Sequence, residues 1–91
     1  MNMTTHAAIR SQQRGIPPLI MEWLDQFGEE YYDGHGAIIR RFTRASRREI
    51  ERQCGRDLVS KLSQYFTAYI VENHDGTVIT AGHLTKRINR R

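Results

Sequence analysis

The feature that most restricts the fold lies near the C-terminus. Residues 67–74 and 77–84, two runs rich in β-branched residues, flank the dipeptide Asp75-Gly76. This spacing predicts an antiparallel hairpin closed by a two-residue type I′ turn, because Gly and Asp tolerate the positive φ that such a turn requires. Residues whose numbers sum to 151 then face one another: Tyr69 opposes Gly82, Val71 opposes Thr80 and Ala68 opposes His83. Alternation puts Tyr69, Val71, Val78 and Thr80 on one side and Ala68, Ile70, Ile79, Ala81 and His83 on the other. Both sides are fairly apolar, so one is expected to pack on helices. The other is either a second core face or a half-exposed surface.

The rest of the chain supplies the partners. A helix begun at Thr4 or Thr5 and stopped by Gly15 carries His6, Arg10, Gln13 and Arg14 on one stripe. Pro17 and Pro18 suit the first turn of a second helix, in which Leu19, Ile20, Trp23, Leu24 and Phe27 form the strongest apolar stripe before Gly28 ends it. Residues 29–33 and 37–43 read as two strands around a turn at Asp33, Gly34, His35 and Gly36. Ser46 and Glu49 read as a capping box opening an Arg-rich surface helix with Ile50 and Cys54 as its narrow apolar side. Gly55 breaks it, and Asp57 caps a further helix fastened by Leu58, Leu62, Tyr65 and Phe66. The expected architecture is α+β, with two N-terminal helices packed on a mostly antiparallel sheet of about four strands and the Arg-rich helical insertion between two hairpins. Phe27, Trp23, Leu24, Leu58, Leu62, Phe66, Ile70 and Ile79 are its expected core.

Ninety-one residues make one domain, with 1–4 and 86–91 read as flexible ends. The single cysteine, Cys54, excludes an internal disulfide and fits a reducing compartment. No apolar run reaches the length of a membrane span or a signal peptide core, so the expected location is the cytoplasm, with no membrane partner. The four histidines and Cys54 show no metal-ligand spacing, and neither metal nor cofactor is expected.

Charge is segregated along the chain. Residues 15–39 hold Glu22, Asp25, Glu29, Glu30 and Asp33 and no Lys or Arg, a balance of −5 within a net charge of +4. The remainder carries +9, and 12 of its 14 basic residues are Arg, whose planar fork suits bidentate phosphate contacts. A surface of that kind attracts polyanions through counterion release, so RNA or DNA is the leading partner. Arg40, Arg41, Arg44, Arg47, Arg48 and Arg52 are the candidate nucleic-acid contacts, although a GC-rich genome would enrich Arg without functional meaning.

His6, Arg10, Arg14, Gly15 and Ile16 at the front, with Asp75, Gly76, Val78, Ile79 and Thr80 at the back, resemble a family of small bacterial domains of unknown function. That family is grouped with toxin-like ribonucleases of the barnase, EndoU, colicin and RelE type. The resemblance covers the two ends of the chain and implies an α+β fold, metal-independent RNA cleavage and a cognate antitoxin. Such cleavage needs a base for the 2′-hydroxyl, an acid for the 5′-oxygen and cations for the phosphorane. His6 is then the candidate general base or acid, Arg10 and Arg14 phosphate clamps, Thr80 a donor to the scissile phosphate and His83 a second proton-transfer group. Each has an ordinary reading beside it: His6 as an exposed helix-start residue, Thr80 as a strand threonine, His83 as a packed histidine. Two further functions remain open: a non-catalytic module that binds nucleic acid or an acidic protein, and a homodimer whose acidic segment 22–33 pairs with a neighbour's basic one.

Overall fold

The computed structural model describes residues 1–84. The tail bases Lys86, Arg87, Arg90 and Arg91, and the expected flexible end at 86–91, lie outside them. The order of elements is α1 (Thr5–Gln13), α2 (Pro18–Phe27), β1 (Glu29–Tyr32), β2 (Ile38–Arg41), α3 (Arg44–Cys54), α4 (Arg56–Lys61), a 3-10 turn (Ser63–Tyr65), β3 (Ala68–Glu72) and β4 (Val78–His83). The strands form one antiparallel sheet in the order β1-β2-β3-β4, so the fold is α+β with α3 and α4 between the two strand pairs. Among the described residues no helix is long and apolar enough to cross a membrane.

Strand pairing assigns the faces. Ala68, Ile70 and Glu72 share a face with Val78, Ala81, His83, Ile38, Arg40, Glu30 and Tyr32. α1 packs over β4 on this face and α2 over β2 and β3, and Ala68, Ile70, Val78 and Ala81 are buried there with Ile20, Leu24 and Ile50. Tyr31, Ile39, Arg41, Tyr69, Val71 and Thr80 occupy the opposite face, each still partly accessible to solvent.

The last hairpin departs from the expected register by one residue. Asn73 N–H donates to the Thr77 carbonyl and Gly76 N–H to that of Asn73, so His74, Asp75 and Gly76 form a three-residue loop with Gly76 at φ +89° instead of a two-residue Asp75-Gly76 turn. Glu72 therefore pairs with Val78, while Val71 still pairs with Thr80. Ile79 is left as the extra residue of a bulge. The bulge turns Val78 into the core, at 0 % exposure, and leaves Ile79 half-exposed, reversing the expectation for both. The expected pairs Tyr69–Gly82 and Ala68–His83 form as read.

Two helix starts also differ from the reading of the sequence. α3 begins a turn early, capped by Thr43, whose Oγ1 accepts from Ser46 N–H while Ser46 Oγ accepts from Thr43 N–H. Ser46 is thus the inner half of the box and not its cap. α4 is capped by Gly55 without a side-chain bond. It buries Val59 and leaves Leu58 37 % exposed, because the helix stops at Lys61 and its inner line differs from the one expected through Leu58, Leu62 and Phe66. Leu62, Phe66 and Phe27 pack at the margin of the core. The first residues, read as a flexible end, lie against the sheet: Thr4 N–H donates to the Val78 carbonyl and Val78 N–H to that of Asn2.

Both tight turns are held by aspartates. Asp33 Oδ1 accepts from His35 and Ala37 N–H, and Asp75 Oδ1 accepts from Thr77 N–H; these bonds hold both carboxyls below the ordinary Asp value of 3.8. A folded-state pKa lowered this way gives stability that is complete above the unfolded-state value and lost as pH falls through the folded one. Replacing both by Asn, whose oxygen still accepts, should therefore flatten the fall of Tm below about pH 4 and leave Tm near neutrality little changed. Superimposable acid limbs for the two proteins would refute this.

Candidate nucleic-acid interface

The candidate residues of the first helix are organised by its ends. Thr4 Oγ1 accepts from Ala7 N–H at 3.1 Å, starting α1 so that Ala7 and Ser11 face inward and His6 and Arg14 stay exposed. At the other end Gly15, at φ +66°, reverses the chain: Ile16 N–H reaches the Ser11 carbonyl and Gly15 N–H that of Gln12, the two bonds of a Schellman motif. No acid occurs in α1. Arg10 is half-buried, and its Nε is stripped of solvent without a hydrogen-bond acceptor among the described residues.

His83 meets this helix from the sheet. Its Nε2 lies 3.2 Å from the Arg14 carbonyl oxygen and its Nδ1 2.9 Å from Thr67 Oγ1. A carbonyl can only accept, so Nε2 carries a proton, and in the neutral ring Nδ1 accepts from the Thr67 hydroxyl. The histidine thereby satisfies one of the open carbonyls at the end of α1. Thr80 belongs to the other face of the sheet, opposite Val71. Of the five residues considered for cleavage, the structure joins His83 to the backbone of Arg14 and separates Thr80 from His83 by the thickness of the sheet.

The six arginines of the second group divide. Arg40 departs from the expectation of a solvated phosphate contact. Its Nε lies 3.0 Å from Glu72 Oε1 and its Nη2 2.7 Å from Glu30 Oε2, with Nη1 donating to the Gly28 carbonyl at 3.4 Å. The Glu72 side chain is only 4 % exposed, so Arg40 is its structural counterion. Arg52 pairs with Glu49 on the surface of α3. Arg47 lies over the Phe66 ring at 4.6 Å and Arg41 over the Tyr31 ring at 4.3 Å, both with free N–H edges for an anion. Arg44 and Arg48 are exposed and border a shallow groove with Arg47, Glu51 and Val59. Three ion pairs form among the described residues, and Arg10, Arg14, Arg41, Arg44, Arg47 and Arg48 take part in none.

The bare face of the sheet was left open by the sequence, which had no means of choosing the covered side. Tyr69 lies across Gly82, where a Cβ would stand 3.0 Å from its hydroxyl oxygen, so glycine is needed there for the ring to lie flat. Among the described residues no group of three His, Cys, Asp or Glu is arranged to hold a metal ion. Comparison with family models, curated proteins and solved structures finds no match.

Proposed function

We propose that this protein binds nucleic acid, RNA in particular, by contacting phosphates with the α1 stripe and the exposed arginines of α3. The observation that carries the proposal is Arg10, a guanidinium on an acid-free helix whose Nε is desolvated and unpaired among the described residues. Most buried polar groups find a partner, and leaving one without costs about 1–3 kcal/mol. Any side-chain rotation that brings Nε to a phosphate oxygen recovers a charge-assisted bond that the unliganded fold lacks. Arg14 one turn on, with Arg44 and Arg48, which take part in no ion pair among the described residues, extends the cationic surface. A reducing compartment fits the exposed free thiol of Cys54.

Binding is better supported than cleavage. His83 would have to give up one of its two hydrogen bonds to move a proton, and Thr80 lies on the far face of the sheet. A labelled single-stranded RNA should bind with a slope of log affinity against log salt steeper than about −2, the release expected for roughly three phosphate contacts. Arg10→Gln with Arg14→Gln should make that slope shallower by about 1.4, and the triple change of Arg44, Arg47 and Arg48 to Gln by about 2. No binding at low salt would remove nucleic acid as the partner. Cleavage of the same RNA in excess EDTA, abolished in His6→Ala, would replace the binding reading by the ribonuclease one.

A further inference from the structure

We propose that the groove between α1 and α2 is a docking site for a basic amphipathic segment of a protein partner. The groove has a volume of about 720 Å³ and is lined by Met1, Met3 and Met21, with Ile16 at its floor and Glu22 and Asp25 along one wall. These are all three methionines of the chain. Met1 and Met3 are 50 % and 36 % exposed, a degree of exposure that leaves unbranched, polarisable side chains free to mould to an apolar partner.

The charge of the wall selects the partner. Glu22 and Asp25 lie three residues apart on α2, inside a segment with no Lys or Arg, and neither takes part in an ion pair among the described residues. A groove that sets three methionines beside two carboxylates outside any ion pair among the described residues fits a ligand that presents aliphatic side chains on one side and Lys or Arg on the next, and it disfavours a polyanion. The site is therefore independent of nucleic-acid binding. At 100° per residue, the groove-lining residues of α1, Ala8, Ser11 and Gln12, point about 150° away from the mean direction of His6, Arg10 and Arg14. A second copy of this chain fits less well: its most basic helix, α3, offers arginines without exposed large aliphatic residues beside them.

Selective methyl labelling of methionine places every probe in this groove, so the test reads it directly. The labelled protein is titrated with a helical Leu/Lys peptide whose leucines follow i, i+3, i+4 spacing, a scrambled peptide of the same composition, and a Leu/Glu analogue. The Leu/Lys peptide should shift all three methyl signals with micromolar affinity. The scrambled peptide should bind about tenfold more weakly and the Leu/Glu peptide not at all. Glu22→Lys with Asp25→Lys, both at exposed positions, should weaken the Leu/Lys peptide at least about tenfold, whereas Arg10→Gln with Arg14→Gln should leave it unchanged. Unmoved methyl signals, equal binding of the scrambled peptide, or indifference to the charge reversal would overturn the proposal. A concentration-dependent dimer in sedimentation that is lost on charge reversal would do so too, by identifying the occupant as a second copy.

Discussion

Arg40→Met is expected to lower the unfolding free energy by roughly 3–5 kcal/mol, the scale for stripping a buried charge of its partner. Glu72 sits at 3 % exposure on the covered face, between Ile38 and Val78 in the pairing, and Arg40 is its counterion. Without the guanidinium, the carboxylate must be desolvated uncompensated or take up a proton. Arg40→Met combined with Glu72→Met should recover most of the loss, because two apolar side chains of similar length can replace a buried pair at little net cost. Glu30→Gln should cost under about 1 kcal/mol, since the Glu30 side chain is 41 % exposed. Urea titrations of the four proteins check the set. An Arg40→Met loss below about 1 kcal/mol would mean that Glu72 is hydrated in solution.

The second large effect is expected at Trp23. Its ring is 4 % exposed and stacks on Phe66 with centroids 6.2 Å apart, while Phe42 meets Phe66 edge-on at 4.7 Å. Trp23→Ala should cost about 3–5 kcal/mol, the range for emptying a large aromatic site. Small domains have only about 5–15 kcal/mol in total, so the variant should be close to unfolding at room temperature. Leu58→Ala, by contrast, should change stability by under about 1 kcal/mol, because Leu58 is 37 % exposed and the buried residue of its helix is Val59. Equal losses at the two positions would contradict the packing described.

The contrast between Leu58 and Val59 shows where sequence reasoning holds. Element types were legible because each rests on local chemistry: Thr4 and Gly15 delimit α1, the prolines open α2, and the glycines around His35 and at Gly76 turn the two hairpins. The first and last hairpins and the α+β class follow from these signals. Details that depend on a single residue of offset did not. Asp-Gly is compatible with both a two-residue and a three-residue loop, and the difference decided whether Val78 or Ile79 entered the core. Thr43 and Ser46 are both competent caps three residues apart, and in the fold Thr43 takes the cap while Ser46 closes the box from inside.

The candidate site was legible as a pattern and not as a set of contacts. The α1 stripe was visible from helical spacing, and its side chains take part in no ion pair among the described residues. That Arg40 belongs to Glu72 was not visible, because the partners are 32 residues apart and meet only through the pairing of β2 with β3. The same holds for His83, whose partners Thr67 and Arg14 come from the start of β3 and the end of α1. Its ordinary reading, a packed and hydrogen-bonded histidine, describes those contacts.

The sheet has two unlike edges. At Val78, β4 is paired with the chain's own residues Asn2 and Thr4. Among the described residues β1 pairs with β2 alone, so its outer backbone groups are left unpaired over four exposed residues. Such an edge is a template for a strand from another molecule. The carboxylates on this strand are tied to their own chain, Glu29 accepting from Thr43 Oγ1 and Glu30 pairing with Arg40, and leave the outer backbone groups uncovered. One edge is thus closed by the chain's own hydrogen bonds, whereas the other keeps its backbone groups open to a partner. β1 is therefore the side on which the folded protein would take up a strand from another molecule.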